Sequence, residues 1–380
     1  MTIAIDIRAA CGKKAGKGWM VYYLVEALTQ LPAAGQHKFI LLTKDDPCFD
    51  FRLPQNFRIS KISWPGLLWH LVVAWRVRFA KNIDVYLAPS SFIVPALTAR
   101  KCVVIVHDLV SRLFPEGHNK KATLVENLFL SKALKKARRV IAISKHTKKD
   151  IAREFPFAKS KTEVVYLAGH SLAVGKNKIP EQNVETRHWR VSGSGERRAS
   201  GAPLQMVPSN YLLFVSTIEP RKNVKRIIQA LPQVRQHTDI DLVLVGKKGW
   251  QWQEIFSEIK RLNLQASVRY LDYVPAKNMP GLYQNAQAFV FPSLYEGFGI
   301  PVLEAMQYGC PVVTSNVSSL PEVAGDAAVL VNPRSTDAIA RGIEQALGER
   351  ESLRERGYKQ AAKFSWENNA RQTLKIIEQV

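Results

Sequence analysis

The sequence predicts an α/β chain of two Rossmann-like domains facing across a cleft. Three observations carry this reading. Short apolar runs of strand length, such as TIAIDI at 2–7, CVVIV at 102–106 and AFVF at 288–291, alternate with longer segments of helical periodicity, the pattern of parallel sheets wrapped by helices. The alternation runs on both sides of residues 176–209, which hold few large apolar side chains, several prolines and glycines, and mixed charge, and so lack the surface needed to order themselves. The 380 residues are enough for two cores. The division expected is 1–175, a linker with an insertion at 176–209, a second domain at 210–365, and a terminal helix within 366–380.

In the first half, the strand at 2–7 is followed by the turn CGKKAGKG and an amphipathic helix at about 19–31. A strand, a glycine loop and a helix form the unit of dinucleotide-binding folds, but Gly16-x-Gly18 by itself reads as a turn. A second strand covers 40–43. Residues 64–79, WPGLLWHLVVAWRVRF, are the most hydrophobic segment and are closed by Arg76, Arg78 and Lys81. They read as a helix packed ahead of the strand at 85–88, or as an interfacial helix seating tryptophans and cations on a membrane, two readings that are compatible on different faces of one helix. The strand at 102–106 ends at His107-Asp108. Ligands of open parallel sheets lie beyond the carboxyl ends of strands, so this pair faces the crevice, with Asp108 either orienting His107 or capping a turn. Taken alone, the pair is as well explained by structure as by catalysis. A basic helix at 119–137 with Lys120, Lys121, Lys132, Lys135 and Lys136, followed by Arg138 and Arg139, a strand at 140–144, a helix start at Ser144 and a strand at 164–167 complete this half.

The second half opens with the strand at 211–216 and a loop bearing Glu219, Arg221 and Lys222. The helix after it carries Val224, Ile227, Ile228 and Leu231 on one face, with Asn223 as its N-cap. Two cations ahead of a helix N-terminus oppose the helix dipole unless an anion sits between them, and a diphosphate would resolve that conflict. Strands at 241–245, leading to Gly246 and Lys247, and at 268–274 follow. Asp239-x-Asp241 has the spacing of a metal-binding pair but sits at the start of a strand, away from the functional end. After the strand at 288–291 comes SLYEGFGIPVLEAMQYGCPVVTSNVSSLPE, 293–322, the stretch on which the reading turns. Gly297 and Gly299 break regular structure and Pro301 suits a first helical turn, so a loop reaches Gly299 and a helix covers about 300–308. The unpaired N–H groups of Phe298, Gly299 and Ile300 then form an anion cradle at the helix mouth, with the carboxylates of Glu296 and Glu304 on either side to bind hydroxyls. A nucleotide sugar has the matching chemistry. A strand at 311–314 and helices at 336–348, 350–363 and 366–379 close the chain.

These motifs resemble a family. Glu296-x7-Glu304, with VSTIEPRKN at 215–223, LVGKKGW at 244–250 and VHDL at 106–109, is similar to the signature of retaining family 4 glycosyltransferases of GT-B fold. The resemblance implies roles for particular residues. Glu304 would bind the ribose hydroxyls and Glu296 those of the transferred sugar. Arg221, Lys222 and the helix mouth would hold the diphosphate, and His107 would contact the sugar near the bond broken. The backbone near Val274 would meet the nucleobase. Gly246 and Lys247 would belong to the donor site, and Gly16 and Gly18 would approach the donor phosphate or the acceptor. It also implies no metal and no cofactor beyond the nucleoside-diphosphate sugar used as substrate, and a terminal helix packed back across the cleft. The wording around HDL, EPRKN and SSLPEVAGDAA is similar to that of mannosyl- and rhamnosyltransferases, which makes GDP-mannose the first donor expectation, ahead of UDP-, ADP- or dTDP-sugars.

Composition bears on the acceptor. The formal charge is +22, and 28 basic against 12 acidic side chains within 1–175 concentrate the excess in the first half. That points to an anionic partner surface. Nucleic acid is disfavoured, since no zinc-ligand spacing, RNP-like aromatic motif or basic coiled coil is present. A lipid-linked saccharide at the inner face of a bacterial membrane, as in surface polysaccharide assembly, fits better than a soluble acceptor. Four scattered cysteines suit a reducing cytoplasm, and the expectation is a cytoplasmic, peripheral protein with no signal peptide and no spanning segment. A catalytically silent scaffold is the reading from another class, and the full set of Glu296, Glu304, Arg221, Lys222 and His107 opposes it.

Overall fold

The computed structural model describes residues 1–12, 16–47, 49–98, 101–114, 120–170 and 207–380. The segment expected as a linker, 176–209, lies outside them up to residue 206. The strands of the first half are β1 (Thr2–Asp6), β2 (Lys38–Thr43), β3 (Phe57–Lys61), β4 (Val85–Ala88), β5 (Cys102–Val106), β6 (Arg139–Ala142) and β7 (Thr162–Val164). Its helices are α1 (Gly16–Gln30), α2 (Gly66–Phe79), α3 (Ile93–Leu97), α4 (Val110–Leu113), α5 (Lys120–Lys136) and α6 (Lys145–Glu154). The second half holds β8 (Tyr211–Val215), β9 (Asp241–Val245), β10 (Val268–Leu271), β11 (Ala288–Phe291), β12 (Val312–Ser315) and β13 (Val329–Val331). Around them lie α7 (Val224–Val234), α8 (Trp252–Arg261), α9 (Met279–Asn285), α10 (Ile300–Gln307), α11 (Leu320–Ala324), α12 (Thr336–Gly348), α13 (Arg350–Ala361) and α14 (Trp366–Glu378).

Every strand pairing in both sheets is parallel, in the orders β3-β2-β1-β4-β5-β6-β7 and β10-β9-β8-β11-β12-β13. These are two Rossmann-like sheets. Each reverses direction at one place, between β1 and β4 and between β8 and β11. At such a switch point the loops leave to opposite faces and open a crevice beyond the carboxyl ends of the strands. In the first sheet α1 covers one face, while α2, α3 and α5 cover the other through Trp69, Val73, Val77, Leu130 and Leu134. No helix among the described residues is long and apolar enough to cross a membrane.

Several expectations need correction. Gly16 and Gly18 stand in the first turn of α1, not in a loop before it. Two glycines cost a helix about 1 kcal/mol each, less than burial of Met20, Val21, Leu24, Val25 and Leu28 returns. The strand expected at 164–167 lies earlier, at Thr162–Val164, and β10 stops at Leu271 instead of 274. β3 and β13 were not expected. β3 is a sheet edge whose burial reads Beeie, so it offers little apolar pattern, and β13 is three residues long. Asn223 does not cap α7 with its side chain. Its backbone is left-handed, with φ 63°, which asparagine tolerates, and its amide donates to the carbonyls of Pro292 (2.9 Å) and Pro333 (2.6 Å). The Asp239-x-Asp241 pair is a fork on Arg235, at 2.9 and 3.1 Å.

Candidate active site

β11 delivers the chain to the second sheet's switch point, where Glu296 is buried among cations. Lys222 Nζ lies 2.6 Å and Arg221 Nη1 3.3 Å from its Oε1, and Ser293 Oγ donates to the same oxygen at 2.6 Å. Arg221 also donates to the Tyr295 carbonyl (2.6 Å) and pairs with Glu219 (2.6 Å). The sequence implied an anion between the two cations. In the structure two carboxylates of the chain balance two cations, which is how both basic side chains come to be only 19% and 11% exposed. Burial works against the charged form of Glu296, but Lys222, Arg221 and the bonds from Lys222 and Ser293 outweigh it and hold the carboxyl below its ordinary range.

The loop that carries Glu296 is pinned by hydroxyls from the segment after β12. Ser318 Oγ accepts from Glu296 N (2.9 Å) and donates to Glu296 O (2.6 Å), and the single Ser319 hydroxyl hydrogen is within reach of the carbonyls of Glu296 (2.9 Å) and Phe298 (2.8 Å). Gly299 then turns into α10 with φ 112°, a conformation side-chain-bearing residues rarely adopt. Among the described residues, the N–H groups of Phe298, Gly299 and Ile300 have no acceptor. Glu304 lies buried one turn into α10. Tyr283 OH donates to its Oε2 at 3.0 Å, and His170 Nδ1 is 2.6 Å from its Oε1.

His107 ends β5 in the first domain, beside the β1–β4 switch point. It is buried, and its Nε2 donates to the Pro89 carbonyl at 2.7 Å, which leaves Nδ1 as the lone-pair nitrogen. Desolvation, and then the charge of Lys17 at the start of α1, push its pKa down to about 4, so it is neutral at neutral pH. Asp108 accepts from Val110 N (3.1 Å), so it caps the turn and does not hold the imidazole. Gly246 and the exposed Lys247 follow β9, and the buried Val274 follows β10, so they leave the same carboxyl edge of the second sheet as the Glu296 loop, which follows β11. Gly16 and Gly18 lie in the other domain, and no hydrogen bond joins them to that cluster.

Residues 202–364 match the family model described as glycosyl transferases group 1, and residues 16–168 match that of glycosyltransferase family 4. The O-antigen chain mannosyltransferase B of Escherichia coli is 34% identical over 306 residues, covering 79% of this chain and 75% of that protein. The chain belongs to glycosyltransferase family 4. A second Escherichia coli relative, the serotype-specific mannosyltransferase WbdA, is 34% identical over 187 residues, which are 47% of this chain and 23% of that longer protein. Among solved structures, the sucrose-phosphate synthase of Thermosynechococcus elongatus superposes over 100% of this chain and 98% of its own, with TM-score 0.72 and 19% identity, and so shares the GT-B fold.

In this glycosyltransferase the two switch points face each other and touch. A Cβ on Gly297 would collide with the His107 carbonyl oxygen, so glycine is what lets the loop of Glu296 reach His107. Thr147 Oγ1 donates to Gly297 O (3.2 Å), Tyr295 OH donates to the buried Asp150 (2.7 Å), and Glu322 accepts from the N–H groups of Lys145 and His146, each at 2.9 Å. Sequence reasoning missed these partners, together with Ser293, Tyr283 and His170. The run SNVSSLPE placed hydroxyls and a carboxylate just past a strand end, which was the available signal for Ser318, Ser319 and Glu322.

Proposed function

We propose that this glycosyltransferase moves mannose from GDP-mannose, with retention of anomeric configuration, onto a saccharide carried by a lipid at an anionic membrane surface. The observation that carries the reading is the Glu296–Lys222–Arg221 cluster held against His107, at the mouth of a helix with three N–H groups that have no acceptor among the described residues. Departure of a nucleoside diphosphate builds negative charge on phosphate oxygens, and fixed cations and N–H dipoles stabilise that charge without reorganising. They supply what a divalent ion supplies elsewhere, so transfer should persist in a chelator. Glu296 would bind hydroxyls of the transferred sugar, and Glu304 those of the ribose. Mannose is favoured by the mannosyltransferase relatives.

The first domain supports a lipid-borne acceptor. On α2, Trp69, Val73 and Val77 face the core, while Leu67, Leu68, Leu71, Trp75 and Phe79 are exposed, Trp75 at 65%. Leu124 and Leu128 of α5 are also exposed, as are the basic Arg76 and Arg78 of α2 and Lys132 and Lys135 of α5; the side chains of Lys120 and Lys121 lie outside the described atoms. Exposed apolar side chains and cations on the same helices suit the surface of an anionic bilayer.

The test is a donor screen on the purified chain. Incubation with GDP-mannose and with UDP-, ADP- and dTDP-sugars should release nucleoside diphosphate fastest from GDP-mannose, even in water alone, and NMR of the product formed on added acceptor should give the donor's anomeric configuration. No hydrolysis of any donor, with no nucleoside diphosphate bound in calorimetry, would remove the reading.

A further inference from the structure

Glu304 has a partner from the other domain. His170 follows β7 on the segment leaving the first domain, and its Nδ1 lies 2.6 Å from Glu304 Oε1. A carboxylate only accepts, so the hydrogen is on Nδ1. Oε2 accepts from Tyr283, 3.0 Å away on α9. Each oxygen is thus fixed by one bond, one from each domain, and each keeps a further lone-pair direction for a ligand.

The imidazole is itself held by rings. It stacks on Tyr23 (5.3 Å, 20°) and tilts against Trp19 (5.9 Å), both on α1. Tyr23 stacks in turn on Trp366 of α14 (5.5 Å, 21°), whose Nε1 donates to the carbonyl of Gly169 at 3.1 Å. His170 Nε2 is buried with no hydrogen-bond partner among the described residues. A ring placed only for packing would be better as phenylalanine, which fills the same stack without a stranded nitrogen. The Nδ1 contact to Glu304 is what the imidazole adds.

We propose that His170 is a positioning residue of the donor site. It aims the free lone pairs of Glu304 at the two hydroxyls of the donor's ribose. Because it belongs to the first domain, it also makes ribose recognition depend on the two domains being together. The proposal rests on the reading of Glu304 as the ribose acceptor.

Calorimetry on the full chain compares whichever of GDP and UDP binds more tightly with its 2′,3′-dideoxy counterpart. His170→Phe keeps the ring stack and removes the donor. It should cut the preference for the ribonucleotide on the order of tenfold, the scale of one hydrogen bond to a charged group, while leaving dideoxynucleotide affinity unchanged. His170→Asn puts an amide N–H where Nδ1 stood and should restore most of the preference. Equal weakening of both nucleotides in His170→Phe would reduce His170 to a packing residue and overturn the proposal. So would an unchanged preference in His170→Phe alongside a lost one in Glu304→Ala. If Glu304→Ala itself kept the preference, the ribose reading of Glu304 would be what failed.

Discussion

Lys222 and Arg221 share one oxygen of Glu296, so removing any of the three leaves a buried charge without its counterpart and, on the proposed function, strips the site of a group that serves donor cleavage. Glu296→Ala, Lys222→Ala and Arg221→Ala should each lower turnover by at least ~100-fold, the scale of losing one transition-state charge partner. Steady-state kinetics with near-native rates in all three would refute the site. His107 gives a separate, pH-dependent prediction. Its pKa falls from 6.5 to about 4 on folding, so between those values the unfolded chain binds a proton that the folded chain refuses. The stabilisation from the neutral ring is fully present above pH 6.5 and is lost as pH falls through that window, a change of about 3 kcal/mol. Chemical denaturation at pH 7 and pH 4.5 should show the native protein losing more stability than His107→Gln, and parallel losses would mean an ordinary histidine.

Elements were legible where their pattern is local. β4, β5, β9, β11 and α12 stand at the expected bounds because each is an apolar run, or a 3.6-residue periodicity, closed by turn or cap residues. The same holds for the Glu296-x7-Glu304 loop, where two glycines and a proline fix its shape. Local pattern could not show that Lys222, with Arg221 beside it, closes on Glu296, 74 residues away in the chain, because that pairing exists only once β8 and β11 lie side by side. Nor could it orient α2, whose apolar residues surround the axis; packing against α3 and the sheet decides which of them are spare. The spare ones give a prediction. Trp75→Ser with Phe79→Ser deletes two exposed aromatic rings, so melting temperature should hold, while binding to vesicles of anionic phospholipid should weaken at least ~10-fold through lost apolar burial. Flotation unchanged by the double substitution, or indifferent to lipid charge, would remove the membrane from the proposal.

At the scale of the molecule, the proposed site needs His107 of one sheet beside Glu296 of the other, and the contacts across that boundary decide how often they meet. The N-terminus of α6 supplies one of them. Ser144 accepts from Thr147 N at 2.9 Å, and Glu322 accepts from Lys145 N and His146 N, so a carboxylate of the second domain satisfies two amides that a helix leaves open and lies at the positive end of its dipole. Tyr166 OH donates to the same carboxylate at 3.2 Å. Glu322→Ala leaves the Ser144 cap in place and removes three bonds between the domains without touching the Glu296 cluster. Each charge-assisted bond of this kind contributes about 1.5–3 kcal/mol, so loss of even one should raise the separated arrangement at least ~10-fold in population relative to the closed one. Transfer rate should fall in proportion to the closed population lost while the radius of gyration from solution scattering rises, and Glu322→Gln, which keeps acceptor oxygen but not charge, should lie between. Scattering and rates both indistinguishable from the native protein would show that the ring stack of Tyr23, His170 and Trp366, and the Tyr295–Asp150 bond, hold the cleft closed without Glu322.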